Sequence, residues 1–194
     1  MTEETPEQKQ PETYTNHICR ICYHMQDTCC ADSPRVPFSI SDIDRITSLG
    51  HRLEDFAIPG EYAEEDFRGE EPWWEASMVK INGKFYKLNV RTKGNACHFL
   101  DPDKGCTLGK NRPDVCKIYP FWIYQEDEVT YEDREEVTCF MQNRGSSVSY
   151  AMTSIGETAD SIRKYFNNIR KDCIENNEQH RGLLLRLMGE DTSK

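Results

Sequence analysis

Cys19 and Cys22 form a C-x2-C pair, a spacing that lets one turn of backbone present two thiolates to a single metal ion or cluster. Cys29 and Cys30 follow as an adjacent pair. Neighbouring side chains diverge by about 100° in a helix and point to opposite faces of a strand. The two are therefore expected to play different parts, either as ligands of separate centres or as one ligand beside a supporting or core residue. A second group, Cys97, Cys106 and Cys116, falls within twenty residues.

Pro102 and Gly105 mark a tight loop between Cys97 and Cys106. Asn111 ahead of Pro113 suits a helix start with proline in the first turn. Cys116 would then lie near a helix N-terminus, where the dipole favours a thiolate, and Pro120 ends the helix after little more than a turn. Arg112 reads either as a solvated surface charge or as a guanidinium offsetting the charge that four thiolates place on a metal centre. His17, His24 and His98 stand near cysteines, but no pair has zinc-finger spacing and each is read as a polar neighbour.

The balance of charge narrows the partners. Lys and Arg total 24 against 34 Asp and Glu, a net charge of -10 that repels phosphate backbones and anionic lipid surfaces. Nucleic acid and membrane are therefore not expected as partners, and no stretch approaches the roughly 20 apolar residues of a membrane span. The opening residues have neither the basic end nor the apolar run of a secretory signal, so the expected compartment is the cytoplasm. Thiols there stay reduced, and nine cysteines cannot fully pair, which turns the reading from disulfides to metal. A protein partner or small-molecule substrate is left open.

The elements that must position these residues can be read in outline. The 194 residues suit one domain. With 37% hydrophobic and 30% charged residues and a mean hydropathy of -0.79, the core is modest, and a bound metal is expected to help hold it together. Residues 1–16 have the composition of a disordered acidic tail. A helix is expected from Ser41, with Asp44 completing a capping box, Ile43, Ile46 and Leu49 as its apolar stripe and Gly50 as its stop. Trp73 and Trp74 close an acidic, irregular stretch and are read as cover for the core or the metal centre.

Asn82-Gly83 between two apolar runs predicts a two-residue hairpin. A second hairpin is expected from Phe121 to Tyr131 around a polar tip. Ala159, Ile162, Phe166, Ile169 and Cys173 recur at steps of three and four, an amphipathic helix with Cys173 on its buried stripe. Leu183 to Met188 is read as another short apolar helix packed on the core, with a partner-binding face as the alternative. The fold class is a small, irregular α+β domain over residues 17–145, with short β-hairpins and helices around a cysteine-ligated centre, and a C-terminal helical extension over 146–194 packed on it.

In this order the residues resemble the YkgJ-type cysteine-cluster family, a domain associated with zinc or iron chelation. The matching pieces run through about residues 17–145: Cys19-Arg-Ile-Cys22, Cys29-Cys30, the helix with Ser41, Ile43 and Asp44, Cys97-His-Phe-Leu100, Cys106, and Asn111-Arg-Pro-Asp-Val-Cys116-Lys-Ile-Tyr-Pro120. Cys139 resembles the family's later cysteine. Two features depart from the pattern: the six residues between Cys22 and Cys29, and the absence of Ile-Tyr after Cys106. The resemblance implies eight metal-ligand candidates, Cys19, Cys22, Cys29, Cys30, Cys97, Cys106, Cys116 and Cys139. It implies no single reaction, although members are often described as iron–sulfur proteins and a flagellin lysine methylase is among the relatives.

The expected function is metal binding, with an iron–sulfur cluster of the 4Fe-4S kind in a redox or catalytic role, because an all-thiolate set suits such clusters. The alternatives are a structural Zn2+ module for protein interaction and a metal-delivery protein. No glycine-rich nucleotide loop or Ser-His-Asp arrangement points to a substrate class. Acidic runs such as residues 132–136 read as solvated surface, and no catalytic residue is assigned.

Overall fold

The computed structural model describes residues 29–31, 34–69, 71–124, 128–132 and 139–190. The expected tail over residues 1–16 and the Cys19–Cys22 pair lie outside the described residues. In chain order the described helices are α1 (Ile40–Ser48), α2 (Leu53–Phe56), α3 (Pro72–Ala76), α4 (Asp114–Ile118), α5 (Phe140–Asn143), α6 (Val148–Ser154), α7 (Ala159–Glu175) and α8 (Asn177–Met188). The strands are β1 (Ala57–Tyr62), β2 (Val79–Ile81), β3 (Lys84–Val90), β4 (Thr92–Lys93), β5 (Ala96–Cys97), β6 (Leu100–Asp101), β7 (Gly105–Cys106), β8 (Phe121–Ile123) and β9 (Val129–Tyr131). Helices and short antiparallel strands make this an α+β domain, as expected.

A three-stranded antiparallel sheet in the order β1-β3-β2 forms the centre. Its hairpin turns at Asn82 and Gly83, with φ of 48° and 83°. Asn and Gly reach this left-handed region most easily, which is why the dipeptide predicts the turn. Val36 to Phe38 extends the β2 edge: the Phe38 N–H donates to the Leu88 carbonyl, and the Val90 N–H to the Val36 carbonyl, each at 2.8 Å. At Gly60 a Cβ would come within 2.1 Å of the Asn89 amide nitrogen, so only a hydrogen fits beside that buried side chain.

The cap of α1 lies two residues earlier than expected. Ser39, not Ser41, is the N-cap: its Oγ accepts from the Asp42 N–H at 3.0 Å, while the Asp42 carboxylate accepts from the Ser39 N–H at 3.1 Å. Burial of Ile40 and Asp42 draws this earlier register into the domain. Ile43 and Ile46 point inward as the stripe requires, whereas Leu49 falls past the helix end and is half exposed.

Two large apolar clusters flank the central elements, and Tyr62, Phe67 and Met78 form a small third one. The first joins α1, α2, the sheet and α8 through Ile46, Phe56, Leu88 and Leu184. The second joins the β8–β9 hairpin, α6 and α7 through Phe121, Ile123, Ile162 and Phe166. Each such side chain contributes about 1.5–3 kcal/mol on burial. Cys173 is buried on α7, and Leu183 to Met188 forms the end of α8, with Leu184 fully buried in the first cluster and its neighbours packed against it.

Candidate metal centre

Cys97 sits on β5, Cys106 on β7, Cys116 on α4, and Cys30 in the turn at residues 29–31. The Cys97 N–H donates to the Cys30 carbonyl at 2.7 Å, fastening the adjacent-cysteine segment to the later loops. Cys106 is delivered by the β6–β7 hairpin, whose loop closes as Pro102 and Gly105 suggest. The Asp101 carboxylate accepts the N–H groups of Asp103 and Lys104 at 2.9 Å each, and Gly105 takes φ 79°.

The helix bearing Cys116 differs from its expected form. Asn111 ends a 3-10 turn, and Pro113 is itself the N-cap, because its fixed φ lets the chain enter α4 directly. Cys116 is the third residue of this five-residue helix. Burial pushes the Cys116 thiol well up, and Cys30, Cys106 and Cys97 push it further. Cys97 is pushed up to about 12, chiefly by burial, and Cys106 is raised for the same first reason. Cys30 is raised above all by its hydrogen bond with Cys29, then by burial.

Cys30, Cys97, Cys106 and Cys116 therefore stand close enough for ionisation of one to oppose the others. Against them works Arg112, only 6% exposed, whose charge lowers Cys30, Cys106 and Cys116 and whose guanidinium also meets Glu157 at 3.4 Å. Arg112 is thus a buried charge and not a solvated one. Cys29 and Cys30 occupy a turn, where the divergence argued for helices and strands does not apply. Their sulfurs lie 3.8 Å apart, with Cys29 exposed and Cys30 half-buried.

Cys139 packs on the second apolar cluster and faces Tyr131, whose phenol is raised by burial and then by this thiol. Among the described residues no three Cys, His, Asp or Glu side chains converge on a single ion. His98 Nδ1 is buried with no hydrogen-bond partner among them, and its ring edge meets Phe99.

A charged network behind Cys116 escaped the sequence reading. Asp114, 2% exposed, accepts from Lys117 at 2.8 Å, Arg45 at 3.3 Å and Asn168 at 3.3 Å. Its own N–H donates to Asp42 at 3.0 Å, and Arg45 also donates to Asp42 and to the Arg112 carbonyl. Burial, then Asp114, raises the Asp42 carboxyl. The network clamps α1, α4 and α7 around the Arg112–Cys116 segment. One signal was present: Asp42 stands four residues before Ile46, on the apolar face of α1.

Half-buried thiols from separate loops, with a buried arginine among them, define a cysteine-cluster protein suited to a soft or borderline cation. The chain belongs to the CxxCxxCC family, described as a "Putative zinc- or iron-chelating domain", whose profile matches residues 18–174. No curated protein and no solved structure matches the chain. Zinc or iron is accordingly the metal of this fold, and the donor set fits either, since both accept thiolate.

Proposed function

We propose that the protein holds an iron–sulfur centre with a redox or catalytic role, its ligands drawn from Cys19, Cys22, Cys29, Cys30, Cys97, Cys106, Cys116 and Cys139. The observation that supports this reading is that Cys30, Cys97 and Cys106 each oppose ionisation of Cys116 while the charge of the buried Arg112 favours it. Four thiolates leave a cluster negatively charged, and a fixed guanidinium stabilises that charge while tuning the potential. A bound cluster supplies one-electron transfer. The chain's own residues hold Cys116 in place through Asp114, lock Cys97 to Cys30, and keep water from the thiols by partial burial. The acidic surface, at net charge -10, supports a cytoplasmic role without nucleic acid.

One observation favours a zinc module instead. A tetrahedral site with Zn–S of about 2.3 Å has sulfurs about 3.8 Å apart, the separation of Cys29 and Cys30. Anaerobic purification followed by a visible spectrum and iron, sulfide and zinc analysis separates the two. Brown protein with iron and sulfide supports the cluster; colourless protein with stoichiometric zinc replaces it with the structural reading.

A further inference from the structure

A cavity of about 620 Å³, in the size range of small-molecule sites, lies between α3, β3 and α7 and is walled by Trp73, Trp74 and Trp122. Into it comes Lys87 of β3, a lysine 7% exposed. Lysine is almost never buried to this degree without an ion-pair partner. Here the Lys87 amine meets the Ser77 hydroxyl at 2.5 Å, lies 3.8 Å from the centre of the Trp74 ring, and stands 3.9 Å from Cys173 Sγ.

Burial pushes the Cys173 thiol up and so keeps it protonated, and the hydrogen bonds weigh against Ser77 as the nucleophile. Ser77 gives its own hydrogen to the Trp74 carbonyl at 2.6 Å, so toward Lys87 its oxygen accepts. A serine so placed has no proton to hand to the lysine, which argues against an activated hydroxyl. A neutral amine, by contrast, can donate to Ser77 and keep its lone pair for an electrophile. We infer that Lys87 is an imine-forming amine and that the cavity takes a neutral, largely apolar aldehyde or ketone.

In the reaction the Lys87 nitrogen adds to the carbonyl carbon, the carbonyl oxygen takes up the proton released from nitrogen, and the carbinolamine loses water to leave the C=N bond. The wall chooses the carbonyl compound: the indole faces favour an aromatic or apolar body, and although Asp66 pairs with Arg35 and Glu71 with Arg170, the wall carboxylates of Asp42, Asp66, Glu71, Glu132 and Asp172 outnumber these cations and disfavour a carboxylate. Desolvation pulls Lys87 down to about 8, against the opposing pull of Cys173 and Asp172 on α7. Asp172 is itself bonded to His180 of α8 at 2.7 Å, and Arg35, Asp42 and Glu71 are the other charged groups on the wall nearest this end of the sheet. A substantial share of free amine is therefore present near neutral pH.

The test is reductive trapping on the full chain. Benzaldehyde with sodium cyanoborohydride reduces any imine to a benzylated lysine, which peptide mass mapping locates. Lys87 is expected to be labelled about tenfold faster than the exposed Lys80 at pH 7.5, with a rate that levels off above pH 8. Pyruvate, an anionic carbonyl, should label it more slowly than benzaldehyde, and Lys87→Arg should lose the label. Labelling of Lys87 no faster than that of Lys80 overturns the inference in the wild-type protein itself, whatever the variant does. Preference for pyruvate overturns the assigned substrate class.

Discussion

The Cys97 backbone N–H donates to the Cys30 carbonyl oxygen at 2.7 Å. This bond ties the Cys30 turn to the Cys97 strand through main chain alone, so these two segments are held together without a metal. A metal bound there still adds its binding energy to that of the fold.

Replacing Cys116 with Ser is expected to lose bound metal and lower the unfolding temperature, whereas Cys173→Ala leaves metal content unchanged. Metal analysis of both variants, alongside thermal unfolding, checks this. Full metal retention in Cys116→Ser would remove Cys116 from the ligand set.

Asp114→Ala strips Arg45 and Lys117 of a shared buried carboxylate. Breaking a buried ion pair from one side costs about 3–5 kcal/mol, and urea unfolding of the variant should show a loss of that order. Because the network frames Cys116, metal content should fall too. A loss below about 1 kcal/mol would mean that the pairs behave as solvated ones.

Metal loading should release protons. Burial and neighbouring thiols keep Cys97, Cys106 and Cys116 protonated at neutral pH in the metal-free protein, and a ligating thiol must give up its proton. Titration with zinc in weakly buffered indicator solution should show proton release rising with the number of ligating thiols. The metal-free protein carries a matching pH signature. Since the folded pKa of Cys97 is raised, to about 12, its contribution to stability is complete below the unfolded value near 8.5 and disappears as pH climbs toward 12.

Lys87→Met should stabilise the protein at neutral pH. The folded pKa of Lys87 lies below its ordinary 10.5, at about 8, so the unfolded chain binds the extra proton and wild-type stability rises between pH 8 and 10.5. That shift corresponds to up to about 3 kcal/mol. Denaturation curves for wild type and variant should therefore lie furthest apart at pH 7 and draw together by pH 10.5. A gap independent of pH would point to packing and not to the buried charge.

Features that depend on neighbours in the chain were legible from residue order. Asn82-Gly83 specified its turn through backbone conformation alone, the three-and-four spacing from Ala159 to Cys173 specified a helix with a buried stripe, and the cysteine spacing identified a zinc- or iron-chelating family. Cap registers were less legible, since Ser39 and Ser41 are both good caps and only the burial of Ile40 and Asp42 selects between them. Tertiary structure alone decided how protons are held. Cys116 looked like an activated thiol from its place in a helix, yet burial among Cys30, Cys97 and Cys106 raises it. Nothing in the residue order sets Lys87 apart: Trp74 and Ser77 at the end of α3 and Cys173 of α7 close around it only in the folded chain. Local spacing determines backbone shape and donor type, whereas desolvation and Coulomb effects depend on what folding brings within a few ångströms.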